Sequence, residues 1–239
     1  MVLDKTRLKN LREFSKLLKI PLKNAAIFNN ALTHKSYAYE LGTPSLNNER
    51  LEFLGDAVLG LVISEHLFFT YPSLKEGEMS KIKSIIVSAS ILGEKAKEIH
   101  LNEFILLGKG EEKSGGRVRS VLLADTLEAV IGATYLIGGF KLAQKLILTL
   151  FGSEISKAAN GEIKKDYKTQ LQEFIQKSYG EVPKYQIEEA TGPDHNRTFR
   201  ISCQIRGQKI SSGVGKSKKD AEQQAAQMAY LKITSKSME

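Results

Sequence analysis

The chain has a single cysteine, Cys203, so no intrachain disulfide can form, as is usual in a reducing compartment. No apolar run approaches the ~20 residues a membrane-spanning helix needs. The opening stretch, Met1 to Lys9, is charged and lacks the apolar centre of a signal peptide. The four histidines show no metal-site spacing. Strand signals are nearly absent before residue 150, and no internal repeat or low-complexity tract is visible. The expectation is a soluble, cytoplasmic protein that makes no membrane contact.

What is present is a 239-residue chain with 41% hydrophobic residues, enough for one large domain or two modest ones. The formal charge is +8. Residues 164–239 carry 14 Lys/Arg against 9 Asp/Glu, a net of +5, and residues 1–163 carry 21 against 18, a net of +3. The smaller part is the more basic per residue. A polyanion is the natural partner, because Lys and Arg displace counterions from phosphates. A membrane surface is the competing partner, but no long basic amphipathic helix with an aromatic face is evident.

Five acids sit in two apolar, helix-patterned stretches, Asn47 to Leu59 and Leu123 to Ala129. At about 100° per residue, Glu49, Glu52 and Asp56 fall within an arc of roughly 60°. Leu51, Leu54, Val58, Leu61 and Val62 fall on the other side. Asp125 and Glu128 are three apart and share a face. Carboxylates gathered in this way repel, and a hard cation such as Mg²⁺ resolves the conflict. Glu49 has a second reading, since acids favour the first turn of a helix and Asn47 or Asn48 can cap it. Asp56 lies deeper, beside Gly55, and a helix-interior glycine costing roughly 0.5–1 kcal/mol suggests close packing there.

Residues 1–155 read as an all-helical domain. Helices are expected over Leu8–Leu18, Ala25–Tyr39, Asn48–Phe69, Ser80–Val87, Ser90–Ile99, Val121–Leu136 and Lys141–Phe151, with a flexible basic loop over Gly108–Arg119. Residues 156–164 read as a linker. Residues 165–235 change pattern to a helix over Tyr167–Tyr179 and strands over Val182–Ala190, Thr198–Ile205 and Lys209–Ser212. Gly213-Val214-Gly215 then breaks the chain before a last helix over Ser217–Lys232. Helix, three strands, helix predicts a small α+β layer with both helices on one sheet face.

Asn48-Glu49-Arg50-Leu51-Glu52-Phe53-Leu54-Gly55-Asp56 resembles the signature of the ribonuclease III family. Asp125 to Glu128 resembles its second acidic motif, and Thr33-His34-Lys35-Ser36 its early helix. Ser88 and Ser120-Val121 depart from the commonest bacterial pattern without touching the acids. From about Lys165 to Ile233 the chain resembles the double-stranded RNA-binding domain, which reads A-form shape and 2′-hydroxyls rather than base sequence. Stacking aromatics that would suit single strands are missing there.

The resemblance implies a Mg²⁺-dependent endonuclease for double-stranded RNA, with Mn²⁺ able to substitute and no nucleotide cofactor. Glu52, Asp56, Asp125 and Glu128 would hold metal, with Asp56 and Glu128 indispensable and Glu49 accessory. Thr169, Gln172 and Glu173 would meet one minor groove and His195 the next. Lys216, Lys218 and Lys219 would hold phosphates between them. The products would carry 5′-phosphate and 3′-hydroxyl ends, and the substrates would be precursors of ribosomal, messenger and transfer RNA. The family also implies a homodimer, each subunit cutting one strand. A non-catalytic, duplex-binding dimer is the alternative, against which the complete acid set stands.

Overall fold

The structure is a computed structural model that describes residues 3–162, 166–192 and 197–236, with side chains to residue 234. The chain divides into two compact units, Met1–Lys164 and Lys165–Glu239.

The first unit is helical among its described residues. Helix α1 spans Lys5–Leu17, capped by the Asp4 carboxylate, which accepts from the Arg7 amide. Where one helix over Ala25–Tyr39 is expected, two form: α2, Ala25–Ala31, and α3, Lys35–Glu40. The break has a cause. Thr33 pairs in a parallel bridge with Leu106, and the Leu106 amide donates to the Leu32 carbonyl, so these residues bond across the chain rather than along a helix. His34 then caps α3.

Helices α4, Glu49–Thr70, α5, Glu76–Ile86, and α6, Ala89–Glu98, follow. Ser88 caps α6, accepting from the Ile91 amide. The segment expected as a flexible loop contains α7, Lys109–Lys113, and a 3-10 turn over Gly116–Val118. Two of its cations are spent internally. Arg117 bonds Glu112 and the carbonyls of Asn102 and Ile105, and Arg119 pairs with Glu111 at 2.7 Å.

The last helix of the unit, α8, runs Ser120–Ala159, interrupted at Gly139, whose φ of 71° lies in a region that glycine enters without Cβ strain. Two helices are expected here, and the Gly139 break separates them. Residues 156–159, expected as linker, continue α8. This helix is the axis of the core. Leu123, Leu127, Val130, Ile131, Ile147, Phe151 and Ile155 are buried among residues of α1, α2, α4, α5 and α6. Contrary to the expectation from sequence, helices α4 and α8 each have the length and hydropathy of a membrane span; the charged residues interrupting their apolar runs conceal it. In α8 the most apolar window is 61% buried inside the unit, as befits a core helix; in α4 it is 33%.

In the second unit, α9 spans Tyr167–Tyr179, β1 Lys184–Thr191, β2 Thr198–Ile205, β3 Gln208–Gly215 and α10 Lys218–Lys236. The strands form an antiparallel sheet in the order β1-β2-β3. Leu171 and Ile175 of α9 share one core with Cys203 and Ile205 of β2 and with Ala225, Ala226 and Ala229 of α10, so both helices cover the same sheet face. The Gly213-Val214-Gly215 stretch does not break the chain as expected; β3 continues through it. A Cβ at Gly213 would stand 2.3 Å from the Ala221 carbonyl oxygen, and one at Gly215 2.5 Å from the Ala221 amide. These glycines let α10 lie directly on the strand.

Candidate active site

The geometry of the acids begins with how α4 starts. Asn48 is the N-cap residue and makes no side-chain cap bond; Asn47, just before it, accepts from the Glu49 amide through Oδ1 at 3.0 Å and donates from Nδ2 to Glu49 Oε2 at 3.2 Å. Asn48 has another task. It is buried, its amide donates to the Thr33 carbonyl, and its Nδ2 lies 3.5 Å from Thr126 Oγ1 on α8.

Two glycines then set the separation of α4 and α8. A Cβ on Gly55 would stand 1.7 Å from the Glu128 carbonyl oxygen, and one on Gly132 would stand 2.2 Å from that of Leu51. No other residue type permits such backbone contact. The close packing inferred from Gly55 is present, and it is what brings the two acid pairs together.

Glu52, Asp125 and Glu128 each offer a carboxylate oxygen within 4.8 Å of the others. All three are partly buried. Asp56 is exposed and lies outside this trio, although its charge acts on Glu128 and Glu52. Glu49 is exposed too and pairs with Lys35 at 3.1 Å. The five acids therefore divide into an inner three and two at the margin.

Burial and mutual repulsion leave their mark on the inner three. Loss of solvent, then the charges of Asp56, Asp125 and Glu52, push Glu128 up to about 8. Glu52 is raised by burial first and then by Asp125, Glu49 and Asp56. Asp125 is raised by burial, against the opposing pull of Lys35. Lys35 is the cation that acts on Glu52 and Asp125, and both stay raised despite it.

A divalent cation fits this donor set. Three carboxylates supply hard oxygen ligands, and Mg²⁺ bonds of ~2.1 Å place two oxygens at most ~4.2 Å apart. At least two of the three oxygen pairs must reach the ~3 Å of adjacent octahedral positions, and side-chain rotation of about one to two ångströms from the 4.8 Å arrangement achieves that.

In the second unit, the Thr169 hydroxyl and amide both bond Asp166, which caps α9, so part of its polar capacity is used locally. Gln172 and Glu173 are exposed on the same helix. Ser217 caps α10, accepting from the Asp220 amide at 3.1 Å. Lys216, Lys218 and Lys219 are exposed around that cap, with Lys218 Nζ 6.0 Å over the Phe199 ring. His195 lies outside the described residues. Sequence reasoning placed Lys35 within the Thr33–Ser36 motif and offered Asn48 as a possible cap beside Glu49, but it assigned neither a contact across the site. Lys35 stands too far along the chain for any helical spacing to suggest it, and only the Asn48–Thr126 contact shows that Asn48 joins the two helices.

The fold and the site define a helical hydrolase-type unit with a carboxylate cluster, followed by an α-β-β-β-α unit of the double-stranded RNA-binding kind. The family described as Ribonuclease-III-like matches residues 24–155, and the double-stranded RNA binding motif matches residues 167–233. The chain belongs to the ribonuclease III family and is a double-stranded RNA endonuclease. It is 47% identical to Ribonuclease 3 of Borreliella afzelii over 92% of this chain and 89% of that one. It is 43% identical to Ribonuclease 3 of Treponema denticola over 98% and 96% respectively. A crystal structure of the nuclease domain of ribonuclease III from Campylobacter jejuni matches with a TM-score of 0.56 and 39% identity, covering 61% of this chain and 96% of that one.

Proposed function

We propose that this endonuclease is Mg²⁺-dependent, with Mn²⁺ able to substitute, and that it leaves 5′-phosphate and 3′-hydroxyl ends. The observation that carries the reading is the convergence of Glu52, Asp125 and Glu128 within 4.8 Å. These three hold the metal, and Asp56, next along the same helix, completes the set. When bound, the ion supplies a Lewis acid that lowers the pKa of water and offsets charge on the scissile phosphate. Glu128 takes up a proton in the metal-free protein and releases it when the site fills. Glu49, held by Lys35 and Asn47, stays at the margin and orients its neighbours.

In the second unit, Thr169, Gln172 and Glu173 meet one minor groove. His195 meets the next, and Lys216, Lys218 and Lys219 hold the phosphates between them. Binding by shape suits substrates that are folded precursors of ribosomal, messenger and transfer RNA. The enzyme works in the cytoplasm as a homodimer, each subunit cutting one strand. The surface of α4 supports that state: Leu51 and Leu54 pack against the core, whereas Phe53 is 81% exposed and Leu61 and Phe68 continue its stripe. The Campylobacter jejuni nuclease domain has a region involved in dimer formation.

The test is cleavage of an end-labelled RNA duplex in Mg²⁺ and in EDTA, beside a single-stranded control. Cutting of the duplex alone, with metal alone, and with 5′-phosphate ends is expected. Binding without cutting in both conditions would sink the assignment.

A further inference from the structure

Residues 1–24 carry seven Lys/Arg against two Asp/Glu, a net of +5, whereas residues 25–163 carry 14 against 16, a net of −2. The basic excess of the nuclease unit therefore resides in and around α1. Lys5, Lys9, Arg12 and Lys16 follow the spacing i, i+4, i+7, i+11, which places them within an arc of about 60° along roughly 16 Å of helix. All four are exposed and none makes an ion pair among the described residues. Glu13 borders the row without pairing to it.

The row is rigid. On the other side of α1, Leu11, Phe14 and Leu18 are buried in the core. Arg7 bonds Asn29 Oδ1 and the Phe104 carbonyl, both at 2.7 Å. Like charges at these spacings repel, and cations at the start of a helix oppose its dipole. An external polyanion removes both penalties. A bilayer suits the row less well, because interfacial helices bury an apolar face in lipid and this one is already committed to the core.

We propose that Lys5, Lys9, Arg12 and Lys16 form a second contact surface for the RNA phosphate backbone, on an element that carries neither the acid cluster nor the double-stranded RNA-binding unit. The inference rests on the duplex-RNA reading above and adds a binding surface to it.

The experiment uses the full chain without metal, so that RNA is bound and not cut. Affinity for a long RNA duplex is measured against salt for the wild type and for a variant with Lys5, Lys9, Arg12 and Lys16 changed to Gln. A control of equal net charge changes the exposed Lys81, Lys97, Lys141 and Lys145 to Gln. Removing one cation from a phosphate lowers the slope of log affinity against log salt by about 0.9, so a fall of roughly two to three is expected for the α1 variant. The control should retain most of the slope. A variant with Lys5, Lys9 and Lys16 changed to Arg should keep it in full. Equal slopes for the α1 variant and the control would overturn the proposal. So would an unchanged RNA slope accompanied by a loss of binding to phosphatidylglycerol vesicles. Duplex cleavage by the wild type in Mg²⁺ is scored separately, so failure of the nuclease reading is not confused with failure of this one.

Discussion

Glu128 concentrates the physical conflict in this protein, because it is the inner acid that burial and three neighbouring carboxylates perturb most. Its folded pKa of about 8 stands above its ordinary value of 4.5, so the folded, metal-free protein holds a proton that the unfolded chain releases. The stabilisation from that proton is complete at low pH and is lost as pH rises through the window from 4.5 to about 8. The Tm of the metal-free protein should accordingly fall across that window, and Glu128→Gln should flatten the fall; an equally steep fall in the variant would count against this origin. The same proton must leave for metal to bind, so Mg²⁺ affinity should rise by up to about tenfold per pH unit toward pH 8, as isothermal titration would show. Glu128→Gln should also abolish cleavage while duplex binding persists in a gel-shift assay. Loss of binding by that variant would refute the division of labour between the two units.

Helices α4 and α8 make the site by touching backbone to backbone. Gly55→Ala puts a methyl group 1.7 Å from the Glu128 carbonyl oxygen, where no rotamer relieves the clash. Overpacking of this kind costs typically ~1–3 kcal/mol and at times more. The helices must separate, and Glu52 then moves away from Asp125 and Glu128. Gly55→Ala should therefore lower both Tm and metal affinity, whereas Gly60→Ala on the same helix, with open space around it, should do neither. An equal fall from Gly60→Ala would show that the approach of Gly55 to α8 is not the cause, because helix propensity favours Ala at both positions. Gly55 was readable as a sign of close packing, since an interior glycine needs a reason. Gly132 and the atom each glycine faces were not, because an approach between residues 77 apart in the chain has no local signature.

At the scale of the whole chain, the proposed chemistry belongs to the first unit, and the proposed minor-groove and phosphate contacts of Thr169 to Lys219 belong to the second. Lys216→Ala with Lys218→Ala should weaken duplex binding and reduce the salt slope by up to about two, one unit per phosphate contact, without altering Mg²⁺ affinity. An unchanged slope would remove these lysines from the phosphate contacts. If the dimer forms through the exposed face of α4, Phe53→Glu should shift the protein toward monomer in analytical ultracentrifugation while preserving helical content. A dimer that survives would place the interface elsewhere than on the exposed face of α4.

The amino-acid sequence by itself determined the helical class of the first unit, the α-β-β-β-α order of the second and which carboxylates are candidates. Each of these follows from patterns repeating every two or 3.6 residues, or from a contiguous motif. Tertiary structure alone decided that Glu52, Asp125 and Glu128 form an inner trio and that Asp56 and Glu49 stand outside it. It also broke the expected Ala25–Tyr39 helix, through the pairing of Thr33 with Leu106, and spent Arg117 and Arg119 on local acids. The arginine pairings are short-range, but the trio and the broken helix share one reason. Local periodicity says which face a residue occupies, and only packing between distant segments says what that face meets.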